Sequence, residues 1–247
     1  MTVIAEKNRP TVRDLLAREL VAEVELLLFT GGRSPVVIPG QPNCLSCEET
    51  HELLDELVGL SDRLQLTTID LGSDPGISTR YNVTAVPTVM IRRRENSTST
   101  KDVSQEVGSA MLVEPGTNVR FVGLPGGFEF STLVADIVDV SKGRTALSPA
   151  TRAAVQAIQT PVHIQVFVTP SCPYCPPVAR MAHQLAMENP LIVADVVEAN
   201  EFQELSERYR VRSVPKTVIN NRIEFVGSLP EAKVVEALQK AVSSDAK

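Results

Sequence analysis

Val162-His163-Ile164-Gln165-Val166-Phe167-Val168, then Thr169-Pro170-Ser171, then Cys172-Pro173-Tyr174-Cys175 is the stretch on which the fold turns. Seven residues of a buried strand are broken by three turn formers, two cysteines follow three apart, and a helix-patterned segment runs over 177–188. Such a junction aims the unpaired N–H groups and positive end of a helix at the first sulfur, and the thiolate is the reactive form of cysteine. Cys172 is therefore expected to be acidic and exposed, with Cys175 one turn in and able to close a short disulfide with it.

The same junction occurs upstream. A strand over 24–30 is followed by a loop rich in Gly and Pro (31–43), then Cys44-Leu45-Ser46-Cys47 opens a helix with Leu53, Leu54, Leu57 and Leu60 on its buried stripe. Pro87 lies 43 positions beyond Cys44, and Pro215 lies 43 beyond Cys172. Around them Arg80-Tyr81-Asn82-Val83-Thr84-Ala85-Val86-Pro87 is answered by Arg208-Tyr209-Arg210-Val211-Arg212-Ser213-Val214-Pro215, and Phe121-Val122-Gly123 by Phe225-Val226-Gly227. Cysteines, prolines and glycines recurring in one order imply two units of βαβ then ββα order, each with a helix in front.

The pattern places helices at 11–20, 77–81, 128–140, 148–159, 202–209 and 231–242. It places strands at 64–71, 88–92, 118–123 and 191–197, and a hairpin of 217–219 with 223–226 through Asn220-Asn221. The polar stretch 95–118 is expected to be an excursion with one extra strand at 110–113. The first unit is taken as residues 1–144, with extra loops at 31–43 and 94–117, and the second as 145–247.

Composition narrows the function. The 247 residues are 43% hydrophobic and 22% charged, as in a globular protein. A net charge of −6 argues against a nucleic-acid partner, and Arg92-Arg93-Arg94, the one basic run, reads as a solvated loop after a strand. The first ten residues include Glu6, Lys7 and Arg9 and carry no apolar export signal, and no later run approaches a bilayer's thickness, so a cytoplasmic protein without a membrane partner is expected. In that setting paired thiols are catalytic or metal-binding rather than a structural framework. Structural zinc modules bring two such pairs within about 15 to 20 residues, whereas 124 residues separate Cys47 from Cys172.

Together these motifs resemble the thioredoxin fold. Two units in one chain resemble the glutaredoxin-like protein disulfide oxidoreductases of thermophilic archaea and bacteria, most closely through Phe121-Val122-Gly123-Leu124-Pro125, Phe128-Glu129-Phe130, the stretch from Phe167 to Pro176, and Arg180-Met181-Ala182-His183. The expected class is α/β, two tandem thioredoxin-fold units, each a central mixed sheet flanked by helices. The first half departs from the family in its longer loops and in the motif Cys-Leu-Ser-Cys, which lacks an aromatic residue.

The resemblance implies cis peptide bonds at Pro87 and Pro215, and substrate contacts at Val86, Pro87, Val214, Pro215 and Tyr174, with Tyr174 packed over its sulfur pair. It implies that Cys172 attacks a substrate disulfide and Cys175 resolves the mixed disulfide, with Cys44 and Cys47 as a second pair, and no cofactor beyond the redox-active disulfides. Disulfide-containing proteins are the expected partners. An alternative is an electron carrier from a thioredoxin-reductase-like flavoprotein to a peroxiredoxin, since no glycine-rich dinucleotide fingerprint is present. A further alternative is a chaperone-like polypeptide-binding module. His51, His163 and His183 read as packing or surface residues. Asp195 and Glu198 are either buried acids that assist proton transfer or ordinary strand-end charges.

Overall fold

The computed structural model describes residues 3–31, 44–73, 75–94 and 116–243. The strand expected at 110–113 and most of the loop before Cys44 lie outside these residues. After a short 3-10 turn, the first unit runs α1 (Arg9–Glu19), β1 (Val24–Thr30), α2 (Cys47–Val58), β2 (Leu64–Asp70), α3 (Pro75–Tyr81), β3 (Thr88–Arg93), β4 (Val119–Val122) and α4 (Glu129–Lys142). The second repeats the order as α5 (Pro149–Gln156), β5 (Val162–Val168), α6 (Cys175–Glu188), β6 (Ile192–Glu198), α7 (Gln203–Arg208), β7 (Lys216–Ile219), β8 (Ile223–Val226) and α8 (Glu231–Ser243). Among the described residues no helix is long and apolar enough to cross a membrane.

The two units share one sheet, in the order β2-β1-β3-β4-β6-β5-β7-β8. Within each unit one parallel pair is followed by two antiparallel ones. The join is the parallel pair β4 and β6, in register from Val119 with Ala194 to Val122 with Val197. All four β4 residues are buried, including Arg120. The Asn118 amide donates to the Pro190 and Ile192 carbonyls (3.0 and 2.8 Å), closing the start of the join.

Side chains of β1 alternate between the two faces, as the period of a strand requires. Leu26 and Leu28 join the large core under α1, α2, α4, α5, α6 and α8, whereas Leu27 and Phe29 join a smaller cluster with Tyr81 of α3. The arrangement recurs in the second unit, where Phe167 meets Tyr209 just beyond α7. The ring centroids are 5.0 Å apart for Phe29 and Tyr81 and 5.5 Å for Phe167 and Tyr209. Both short helices give way to a left-handed residue, Asn82 (φ 49°) and Arg210 (φ 50°). A cation holds carbonyls at each of these ends: Arg120 donates to those of Tyr81 and Asn82, and Lys216 to that of Tyr209. Asn220 and Asn221 (φ 49° and 56°) make the expected tight hairpin, and Ser148 accepts the Thr151 N–H as the cap of α5.

α4 belongs to the first unit in sequence but packs on α6 of the second. Asp136 Oδ2 pairs with His183 Nδ1 at 2.6 Å, both side chains fully buried, and His183 Nε2 bonds the Arg120 carbonyl at 3.0 Å. Arg180 reaches Asp136 (3.4 Å) and Asp139 (2.5 Å). Phe121 stands edge-on to the His183 ring, centroids 4.8 Å apart. His183 is thus a packing residue of the inter-unit seam.

Candidate functional site

β1, β4, β6 and β5 all run the same way, so the cysteine pairs that follow β1 and β5 lie at the same end of the sheet. Four strand spacings separate them, about 20 Å. Each pair is disulfide-bonded, with Cα–Cα distances of 5.6 Å for Cys44–Cys47 and 5.5 Å for Cys172–Cys175. Four sulfurs divided in this way cannot converge on one zinc ion, whose Zn–S bonds are about 2.3 Å.

Both helices begin at the second cysteine, not the first. Cys172 sits in the preceding turn, its N–H donating to the Thr169 carbonyl (3.1 Å) and its carbonyl accepting from Cys175 N–H (3.4 Å). It is 8% exposed and Cys175 0%, so the expectation of an open Cys172 is corrected. A sulfur tied to its inward partner is drawn under the turn. Cys44 and Cys47, at 5% and 6%, are equally covered. Tyr174 is 77% exposed and Leu45 86%, so Tyr174 projects into solvent rather than packing over the sulfurs.

Val86-Pro87 and Val214-Pro215 are both cis peptide bonds. Each proline precedes the strand antiparallel to its cysteine-bearing strand, opposite Phe29 and Phe167, which brings it to the redox end of the sheet. The Pro87 carbonyl accepts from Gly123 N–H (2.9 Å) and the Pro215 carbonyl from Gly227 N–H (2.8 Å), which explains the repeated Phe-Val-Gly. Val86 and Pro87 are buried, and Cys44, Cys47 and Val86 share one apolar cluster. In the second site Pro215 is buried and Val214 half-buried.

The helix mouths differ electrostatically. The first turn of α2 carries Glu48 and Glu49, which oppose a thiolate at Cys44. The first turn of α6 has no acid, although Pro176 and Pro177 remove two of its N–H donors. Of the two first cysteines, Cys172 has the surroundings that disfavour a thiolate less.

Buried acids also stand near this end. Glu129, the first residue of α4, lies in the Phe128-Glu129-Phe130 stretch, but the sequence assigns it no role. It is 2% exposed, and among the described residues neither carboxylate oxygen has a well-formed hydrogen bond, the Thr132 hydroxyl being the nearby donor. Burial pushes its pKa up to about 7, and Thr132 and the attraction of His183 draw it back only in part. It lines a cavity of about 10 Å³, room for one water, with Phe121, Val168, Pro170 and Glu198 among its walls. What seals it in is Gly127 (φ 59°), where a Cβ would stand 2.2 Å from the Pro170 carbonyl oxygen. Only glycine lets α4 approach the turn before Cys172 so closely. Glu198 is 5% exposed, and burial raises its pKa even though it accepts from the Asn200 and Glu201 N–H groups. Asp195 pairs with His163 at 2.6 Å. Burial alone would raise its pKa, but His163 and Arg120 hold it below the ordinary value, so it is a strand-pairing charge away from the sulfurs.

Comparison with known proteins agrees with this geometry. Residues 162–240 match the family model described as thioredoxin domain. The thioredoxin of Methanocaldococcus jannaschii is 32% identical over 80 residues, 32% of this chain and 94% of that protein. The F component of the alkyl hydroperoxide reductase of Xanthomonas campestris pv. phaseoli is 27% identical over 192 residues, 77% of this chain but 30% of that protein, so the chain spans under a third of this longer relative. The crystal structure of a protein disulfide oxidoreductase from Aeropyrum pernix superposes with a TM-score of 0.79 at 30% identity, covering 97% of this chain and 94% of that one.

Proposed function

This chain belongs to the thioredoxin-like protein disulfide oxidoreductases, and we propose that it exchanges electrons with protein substrates chiefly through Cys172 and Cys175, with Cys44 and Cys47 as a second site. The observation that carries this reading is where the exposed apolar side chains lie. Among the described residues five large ones are exposed, and four of them, Leu45, Phe128, Tyr174 and Val226, are at the redox end of the sheet. The fifth, Val21, is at the opposite end, hydrogen-bonded to Ser141. A polypeptide with apolar residues near its disulfide fits such a rim. Val214, Pro215 and Tyr174 would line its path to Cys172, and Val86 and Pro87 the path to Cys44.

In the reducing direction the Cys172 thiolate attacks one sulfur of the substrate disulfide. The S–S bond breaks, a Cys172 mixed disulfide forms, and the departing sulfur takes a proton. Cys175 then loses its proton and attacks Cys172 Sγ, expelling the second substrate sulfur and leaving the disulfide on this chain. Two electrons have passed to the substrate. Glu129, buried with a near-neutral pKa in a cavity walled by Val168 and Pro170 of the segment that leads to Cys172, is the group we assign to accept the Cys175 proton. The redox-active disulfides are the only redox groups the cycle requires, and we assign it to the cytoplasm. The boundary between units falls at 144/145, just beyond α4.

Glu129 makes opposite predictions for stability and turnover. Its pKa is raised from 4.5 to about 7, so folding tightens its hold on the proton. Below about pH 4.5 it is neutral in both states. From there to pH 7 only the unfolded chain ionises and stability falls, the loss amounting to about 3 kcal/mol above pH 7. Glu129→Gln is expected to remove that decline and to stabilise the protein at pH 8. The same change should slow insulin-disulfide reduction roughly 100-fold. Denaturation and turnover measured across pH check both. A parent that cannot reduce insulin contradicts the function, and a variant with parental turnover contradicts the role of Glu129.

A second reading is favoured by the 192-residue similarity to the alkyl hydroperoxide reductase component. There the chain carries electrons from a thioredoxin-reductase-like flavoprotein to a peroxiredoxin. Turnover much faster with a peroxiredoxin disulfide than with insulin would select it.

A further inference from the structure

The two sites are not equivalent, and the difference comes from across the junction. Ser46, between the cysteines of the first motif, donates its hydroxyl to Glu201 Oε2, which belongs to the turn between β6 and α7 of the second unit. The other oxygen, Oε1, accepts the Leu124 N–H at 2.7 Å. The Glu201 backbone is held in turn, its N–H donating to Glu198 Oε2 at 2.6 Å. Between these acids and the first cis-proline stands Gly123 (φ 100°), where a Cβ would lie 2.7 Å from Glu198 Cβ and 3.2 Å from Glu201 Oε1. The same glycine donates to the Pro87 carbonyl. Glu201 thus touches both the cysteine turn and the support of the Val86-Pro87 loop.

Among the described residues the second site has no counterpart. A Cβ at Gly227 would meet nothing within 4 Å, and Tyr174, which takes the place of Ser46, is in solvent. We propose that Glu201 is a positioning residue for the first redox site, supplied by the second unit: its carboxylate fixes Ser46 between the cysteines and sets a negative charge beside Cys44 that Cys172 does not experience. The proposal rests on Cys44 and Cys47 being a redox pair. Like charge disfavours a thiolate, so Cys44 is the slower nucleophile at neutral pH and its disulfide the harder to reduce. Among the described residues, Glu48 and Glu49 of α2 are further acids at this end, and Glu198 faces Glu201 from its own turn. These three are acids, and none of the three supplies a positive charge.

The test is iodoacetamide alkylation of the reduced full-length protein across pH, with Cys44 and Cys172 followed separately by peptide mass spectrometry. Glu201→Gln keeps an acceptor for the Leu124 N–H and turns an amide donor toward the Ser46 oxygen, so the contacts persist while the charge is removed. It is expected to lower the apparent pKa of Cys44 by about 0.5 to 1 unit, speeding its alkylation at neutral pH roughly three- to tenfold, while Cys172 is unmoved. Glu201→Asp is expected to keep the parental profile. A Glu201→Gln profile for Cys44 that matches the parent overturns the proposal. So does an equal movement of both cysteines, which marks a change of fold rather than of local charge. If instead the parental Cys44–Cys47 pair fails to cycle in glutathione buffers, it is the redox reading of the first site that falls.

Discussion

Cys172→Ser is expected to lower insulin-disulfide reduction by at least about 10³-fold, while Cys44→Ser retains most of it. Removing an attacking nucleophile takes away the bond on which the cycle depends, and the remaining binding contacts cannot replace it. The asymmetry follows from the two surroundings. Cys172 stands beside Phe128, Tyr174 and Val226, exposed apolar side chains against which a substrate can dock, and before a helix turn free of acids. Cys44 stands among Glu48, Glu49 and Glu201, with Leu45 its one exposed apolar neighbour in the motif. Turnover by both variants decides the order of the sites. Full activity in Cys172→Ser together with loss in Cys44→Ser would reverse it.

Asp136→Ala is expected to destabilise the protein by about 3 to 5 kcal/mol in chemical denaturation. The side chain is fully buried and pairs with His183 and Arg180, so its removal leaves the buried His183 Nδ1 without its partner, while Arg180 keeps Asp139. Exposed pairs such as Arg18 with Glu19 or Lys233 with Glu236 contribute far less, because solvent screens them. Burial raises the Asp136 pKa, against the pull of His183 and Arg180 in the other direction. Asp136→Asn keeps an acceptor toward His183 and should cost less than Asp136→Ala. Because α4 also carries Glu129 and follows directly on Phe128, the Ala variant should lose turnover as well. A loss below about 1 kcal/mol would mean that apolar packing alone holds α4 on α6.

The repeat was legible because it rests on residues whose roles do not depend on distant neighbours. Cysteines three apart, the Val-Pro pairs, the Phe-Val-Gly ends and the Asn-Asn hairpin each state a local geometry, and their equal spacing states the duplication. What escaped was decided by contacts distant in sequence. The apolar residues Val119, Phe121 and Val122 announce a buried β4, but not that Arg120 is buried with them or that the neighbour is β6 of the other unit. Glu129 looks like an ordinary first-turn acid, and only the seating of Gly127 on Pro170 encloses it. Glu201 carries no motif at all, and its meeting with Ser46 spans 155 positions. The exposure of Cys172 was overestimated because a helix start predicts the field at a sulfur but not the turn that covers it. Tyr174 was expected to cover the pair, yet as the residue before α6 it points outward.

The most direct test of the exchange mechanism is capture of its intermediate. Cys175→Ser leaves the attacking sulfur and removes the resolving one, so a disulfide-containing protein should remain joined to the chain. Mass spectrometry of the non-reduced digest is expected to find the linkage at Cys172, released by dithiothreitol. An adduct joined only through Cys44 or Cys47, or none at all, would contradict the account.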